Sequence, residues 1–361
     1  MLDLEELLRT AAAREASDIH IKVGSSPILR IDGRLERLDY PTVTPAETER
    51  IAFAIMPKQR AETFLTTCEA DFAHSVVGLG RFRVNVLRQR GSVGLVMRRV
   101  EGAIPSFDEL GLPPAVKRLA ENPRGLVLVT GPTGSGKTTT LASMIDHINE
   151  TMSRHIVTIE DPIEVLHSDK CSVVNQREIG TDTADFNSAL KHVLRQDPDV
   201  ILIGEMRDAE TVKTALSAAE TGHLVFSTLH TISATETINR IIDFFPPDEQ
   251  AQVRMAVAGS LRGIVSQRLV ECRDGSGRVP AVEVLVATGR VFDKIINPEE
   301  THEINEIIAD GEYYGMQSFD QALLALYSRG AIELREALAA SSRPHDLRLM
   351  IEQFTLASAE N

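Results

Sequence analysis

Residues Gly131-Pro132-Thr133-Gly134-Ser135-Gly136-Lys137-Thr138 follow the pattern G-x-x-x-x-G-K-[ST], directly after an apolar run at 126–129. Small residues at these positions let backbone N–H groups close around phosphate oxygens, and a helix starting at the end of the loop adds its dipole. The spacing points to a nucleoside triphosphate held by Thr133, Gly134, Ser135, Gly136, Lys137, Thr138 and Thr139. Lys137 reaches the β- and γ-phosphates and the Thr138 hydroxyl takes Mg²⁺. Leu141, Met144, Ile145 and Ile148 then recur at i, i+3, i+4 and i+7, which gives the following helix one buried face.

Hydrolysis at such a loop needs carboxylates for Mg²⁺ and for the attacking water. Two apolar strands deliver them: 155–159 ends in Glu160-Asp161-Pro162, and 200–203 ends in Gly204-Glu205-Met206-Arg207-Asp208. Glu160 and Glu205 are the candidates, each open to either role. Asp208, before Ala209-Glu210-Thr211, reads as a helix N-cap. A third strand, 224–227, lies between His223 and His230. Their spacing matches no zinc motif. His230, at the carboxyl end, is placed to hydrogen-bond the γ-phosphate or a glutamate, while His223 reads as a satisfied structural residue.

These residues need a scaffold that brings strand ends together. From 115 onward, short apolar strands alternate with helical segments, the pattern of a mainly parallel sheet covered on both faces, with ligands at the carboxyl ends of its strands. The first hundred residues mix helices and strands without that rhythm: helices near 4–8 and 44–55, strands at 19–23 and 28–31 with a turn at Asp32-Gly33, and a hairpin of 81–90 with 93–100. Gly102, Pro105, Gly111, Pro113 and Pro114 punctuate a linker with the character of a hinge. After 291 come short helices, broken at Ser341-Ser342-Arg343-Pro344.

The chain has 361 residues, 43% of them hydrophobic, enough for two ordinary cores. Cys68, Cys171 and Cys272 lie far apart, which favours neither disulfides nor zinc and fits a reducing cytoplasm. No apolar run is long enough to span a membrane, and the N-terminus is acidic where a secretory signal would be basic. Residues 1–100 hold 15 Lys/Arg and 13 Asp/Glu, a net +2, so the remainder carries −16 against the chain's net −14. The acidic remainder argues against direct nucleic-acid tracking, which wants a basic stripe. The exception is local. Arg81, Arg83, Arg88, Arg90, Arg98 and Arg99 share nineteen residues without an acid, ordinarily the mark of a solvated strand face.

Together, segments 131–140, 156–164, 195–208 and 221–231 resemble the PilT family, the hexameric retraction ATPases of type IV pili among the type II/IV secretion ATPases. In family terms they match the Walker A loop, the Asp box with Glu160 and Asp161, a Walker B strand with Gly204-Glu205 where other P-loop proteins have Asp-Glu, and the His box. Ser17-Asp18-Ile19-His20, Arg30-Ile31-Asp32-Gly33, Gly80-Arg81-Phe82-Arg83, Gln89-Arg90-Gly91 and Val174-Asn175-Gln176-Arg177-Glu178 extend the likeness to about residue 285.

The resemblance implies an α/β protein with a PAS-like α+β domain at 1–101, a linker at 102–114, a RecA-like P-loop ATPase domain at 115–290 and a C-terminal helical extension at 291–361. It also implies a homo-hexamer binding ATP and Mg²⁺, with Arg81, Arg83 and Arg90 reaching the nucleotide from a neighbouring domain. The implied partners are an inner-membrane pilus platform protein and an assembly ATPase, at the cytoplasmic face of the membrane. Assembly ATPases usually carry a four-cysteine zinc insertion after Gln-Arg-Leu-Val; here Gln267-Arg268-Leu269-Val270 runs into Glu271-Cys272-Arg273-Asp274-Gly275 without it, as in the retraction branch. That branch commonly has Ala-Ile-Arg-Asn-Leu-Ile-Arg-Glu near its end, where this chain has Arg290-Val291-Phe292-Asp293-Lys294-Ile295-Ile296-Asn297, without the two arginines. A paralogue with an assembly or regulatory role, or a catalytically silent ATP-binding ring subunit, is therefore also consistent with the sequence.

Overall fold

Asp3 accepts hydrogen bonds from the amides of Glu5 and Glu6 and starts α1 (Leu4–Ala13), which buries Leu7, Leu8 and Ala11. The computed structural model describes residues 2–31, 33–100 and 104–359. Cα packing divides the chain into Met1–Ala103 with Glu164–Leu166, and Ile104–Ile163 with His167–Asn361.

In the first unit α1 is followed by β1 (Asp18–Ile21), β2 (Ile28–Ile31), β3 (Arg34–Arg37), α2 (Pro45–Ile55), α3 (Lys58–Thr67), β4 (Glu69–Val76), β5 (Gly80–Gln89) and β6 (Ser92–Arg99). The strands form one six-stranded antiparallel sheet in the order β3-β2-β1-β6-β5-β4. Asp32 of the expected turn lies outside the described residues; Gly33 follows with φ 77°. Arg90 and Gly91, with φ 51° and 78°, make the two-residue turn between β5 and β6, and both take the left-handed conformation that a tight hairpin twist demands. Leu7, Leu8, Phe64, Phe82, Leu95 and Met97 fill the core.

The second unit contains α4 (Pro114–Ala120), β7 (Gly125–Thr130), α5 (Lys137–Thr151), β8 (His155–Glu160), β9 (Val173–Glu178), α6 (Phe186–Val193), β10 (Val200–Ile203), α7 (Ala209–Glu220), β11 (Leu224–Leu229), α8 (Ala234–Asp243), α9 (Pro247–Ser260), β12 (Leu261–Glu271), β13 (Arg278–Val286), α10 (Gly289–Ile296), α11 (Ile304–Ala309), α12 (Phe319–Ser328), α13 (Leu334–Ala340) and α14 (Pro344–Ala359). Its seven strands run in the order β13-β12-β7-β11-β10-β8-β9, all parallel except β13. Alternation sorts β7 between two cores. Leu126 and Leu128 face a layer with α7, α8 and α9, while Val127 and Val129 face one with α4 and α5. Helices α12 to α14 close a smaller core over Val270 and Ala281.

Strands β9 and β12 lie beyond the strands that apolar runs announce. Edge strand β9 carries Asn175, Gln176 and Arg177, and Gly263, Ser266, Gln267 and Arg268 interrupt the apolar run of β12. Both are fixed by pairing with the buried strand beside them, β8 and β7 respectively.

Candidate active site

Because β7, β8, β10 and β11 are parallel neighbours, the loops following them open at one edge of the sheet. The phosphate-binding loop joins β7 to α5, and Gly131, Gly134 and Gly136 have φ of 146°, 78° and 89°. An added Cβ at Gly131 would collide with the Gln267 carbonyl oxygen, and one at Gly136 would lie 2.6 Å from Gln267 Nε2. Gly136 is also the N-cap of α5 and has no side chain to bond the first turn, so those amides stay available to an anion. Thr133, Gly134 and Thr138 are exposed, Lys137 and Thr139 are half-buried, and the buried Ser135 hydroxyl has no hydrogen-bond partner among the described residues. Lys137 Nζ donates to the carbonyls of Gly131 at 2.7 Å and Pro132 at 3.0 Å, which holds it over the loop. One helical turn on, Thr140 Oγ1 donates to Gln267 Oε1 at 2.8 Å and ties α5 to β12.

Glu160, the last residue of β8, is buried; its Oε1 accepts from Thr158 Oγ1 at 2.6 Å and Gln176 Nε2 at 3.1 Å. The next peptide, Asp161-Pro162, is cis. Glu205 follows β10 across Gly204, whose amide donates to the Ile159 carbonyl at 2.8 Å. An added Cβ at Gly204 would lie 3.3 Å from the Ile159 oxygen and 3.4 Å from Glu160 Cα, a fit that leaves no room for a larger residue without a shift of β8. Thr228 Oγ1 donates to the Gly204 carbonyl at 2.7 Å and fixes the same turn from the β11 side.

The Glu205 carboxylate is ion-paired with Arg207, and its Oε2 lies 3.2 Å from His230 Nε2. Burial, then the positive charges of Lys137 and Arg207, push the His230 pKa below its ordinary value. The imidazole is therefore neutral near pH 7. Glu160 Oε1 accepts from Thr158 of β8 and Gln176 of β9.

Three further residues have structural work, and for Asp208 and His223 it is the work the sequence reading expects. Asp208 Oδ1 accepts from the Thr211 amide at 2.8 Å and caps α7. His223 Nδ1 lies 2.9 Å from the Ala218 carbonyl at the end of α7. Arg98 pairs at 2.8 Å with the buried Asp18, whose pKa is lowered because hydrogen bonds from Arg98 and Ser17 outweigh burial.

The family model of the type II/IV secretion system proteins matches residues 2–316. The type IV pilus retractation ATPase PilT of Pseudomonas aeruginosa is 43% identical over 345 residues, covering 96% of this chain and all of that one. The chain belongs to the PilT family. The type IV pilus ATPase PilU of the same organism is 42% identical over 360 residues, covering this whole chain and 94% of that one. The crystal structure of the pilus retraction motor PilT with bound ADP superposes with a TM-score of 0.89 at 47% identity, over 96% of this chain and 99% of the other. The protein is thus a P-loop ATPase of the PilT family, with the mixed α/β fold of that motor.

In this PilT-family ATPase, Arg81 and Arg83 lie on β5 of the first unit. Arg81 is half-buried with Nη1 3.5 Å from Ser75 Oγ, and Arg83 lies 3.7 Å from Glu164. Sequence reasoning missed three residues that build the site: Arg207 on Glu205, Gln176 on Glu160 and Gln267 under the loop. Arg207 was visible as a cation two residues from a candidate carboxylate. The two glutamines carry no charge or spacing signal and become visible only once β9 and β12 are placed.

Proposed function

We propose that this protein is a homo-hexameric motor that hydrolyses ATP to ADP and phosphate and uses the energy to retract a type IV pilus. The supporting observation is the grouping of Lys137 and Thr138 on one loop with the His230–Glu205 pair on the neighbouring strand ends. Likeness to PilT over nearly the whole length supplies the pilus context.

In this reading the amides of 133–139 and the Lys137 ammonium bind the triphosphate. The oxygen donors present, the Thr138 hydroxyl with the Glu205 and Glu160 carboxylates, suit a hard cation, and they would hold Mg²⁺. Bound there, the ion would supply positive charge against the phosphate oxygens. Glu205 polarises the attacking water. His230 holds the Glu205 carboxylate in place and senses the nucleotide. Glu160, held by Thr158 and Gln176, supports the metal or its water shell. Arg81 and Arg83 bring positive charge to the triphosphate of an adjacent subunit, where the developing negative charge needs it. The partners in this reading are an inner-membrane platform protein and an assembly ATPase. No helix among the described residues is long and apolar enough to cross a membrane; in this reading those partners tether the ring to the inner face.

The test is ATP hydrolysis against protein concentration, with sizing in parallel, for the native chain and Lys137→Ala. Turnover that rises with hexamer formation and vanishes in the variant supports a ring motor. A hexamer that binds ATP without turning it over defeats it.

A second reading is a PilT-like paralogue with an assembly or regulatory role. The near-equal likeness to PilU, extending through the C-terminal helices, favours it, as do the arginines absent from Arg290 to Asn297. Complementation of retraction-deficient cells separates the two, because a paralogue with an assembly or regulatory role would not restore retraction by itself.

A further inference from the structure

Glu283 is a carboxylate in the middle of β13, 6% exposed, on the sheet face that packs against α8. Its Oε1 accepts from the Ala234 amide, the first residue of α8, at 2.7 Å. Across the ladder Glu283 pairs with Ser266, and Ser266 pairs in turn with Thr130. Thr130 Oγ1 donates to Ser266 Oγ at 3.0 Å. A row of three polar side chains thus crosses three adjacent strands, from the residue before the phosphate-binding loop to the start of α8.

Burying a carboxylate is unfavourable, and a leucine would fill this place among Leu128, Ile264 and Leu285 without that penalty. Arg268, on the same strand as Ser266, donates instead to the Ala340 carbonyl and Ser342 and stacks on Phe319. The loop between His230 and α8 is short and tightly tied. Ser233 caps α8 through the Glu236 amide, and Thr231 Oγ1 lies 2.7 Å from Thr237 Oγ1. Fixing Ala234 therefore fixes the approach of His230 to Glu205.

We infer that Glu283 is a positioning residue for hydrolysis, locking the His230 loop to the strand that carries the phosphate-binding loop. It does so by accepting the hydrogen bond of the Ala234 amide while facing Ser266 across the ladder. This rests on the reading of His230 as the partner of Glu205 in turnover.

The experiment measures kcat, ADP affinity and melting temperature for Glu283→Leu, Glu283→Gln, His230→Ala and Glu283→Leu/His230→Ala in the full chain. Glu283→Leu is expected to lower kcat about tenfold with ADP affinity within about twofold, and the double variant to be no slower than His230→Ala, as for residues acting as one unit. Glu283→Gln, whose amide oxygen still accepts from Ala234, is expected to stay within about threefold of native kcat. Native kcat in Glu283→Leu, losses that multiply in the double variant, or a Glu283→Gln as slow as Glu283→Leu would each overturn the inference while leaving the His230 reading intact. Native kcat in His230→Ala would overturn both. If Glu283→Leu does not fold, Ser266→Ala cuts the same row, and its loss must likewise not multiply with that of His230→Ala.

Discussion

His230 Nε2 lies 3.2 Å from Glu205 Oε2, although 25 residues separate the two in the chain. The pairing follows from strand order: β10 and β11 are parallel and adjacent, so the residues just beyond their carboxyl ends meet. A neutral imidazole donating from Nε2 to a charged carboxylate orients that carboxylate without cancelling its charge, the state a water-polarising group needs.

Turnover should therefore have an acid limb set by His230. Its pKa lies below the ordinary 6.5, because burial, Lys137 and Arg207 all disfavour the cation. The neutral form predominates above that lowered value, so kcat is expected to hold through neutral pH and to fall only at a pH below the ordinary histidine value. Replacing His230 with Gln should flatten the limb, which kcat measured across that range will show.

Replacing Glu205 with Gln keeps the shape of the side chain and removes its charge. ATP binding should persist while single-turnover hydrolysis slows about a hundredfold or more, in the range for loss of a positioned general base. Unchanged turnover would transfer the role to Glu160.

His167 should make stability depend on pH. Burial pushes its pKa from 6.5 to about 4, and its Nδ1 has no hydrogen-bond partner among the described residues. The unfolded chain binds the proton first as pH falls. Stability is therefore complete above about pH 6.5, declines between there and about pH 4, and then levels off. Urea titrations followed by circular dichroism are expected to show a loss of about 3 kcal/mol across that window that His167→Gln lacks.

The cap at Asp208 is a stability element in a stretch rich in catalytic candidates. Asp208→Ala should cost about 1 kcal/mol, read as a lower melting temperature, with kcat at 25 °C near native. A collapse of kcat without destabilisation would instead make Asp208 part of the site.

Much of this arrangement is legible in the residues themselves. The loop at 131–138 declares itself because phosphate binding needs small residues and a cation at fixed spacing, and the ends of β8, β10 and β11 are marked by acids and a histidine after apolar runs. What the sequence hides is whatever the sheet supplies laterally. Gln267 lies 136 positions beyond Gly131, on a strand whose polar residues mask its periodicity, and Gln176 is on an exposed edge. The first domain is harder to read for a related reason. Strand β3 is exposed throughout, so no apolar alternation announces it, and β4 is recognisable mainly from its pairing with β5.

The crowding around Gln267 has a genetic corollary. Gly136 is hemmed in by the amide tip of that side chain, whereas Gly131 is hemmed in by its main-chain carbonyl. A smaller residue at 267 makes room beside position 136, although the left-handed backbone there still disfavours any side chain. No exchange of side chains makes room beside position 131. A suppressor screen begun from Gly131→Ala should therefore return true revertants, or changes that move the path of β12 itself, and no simple replacements at 267.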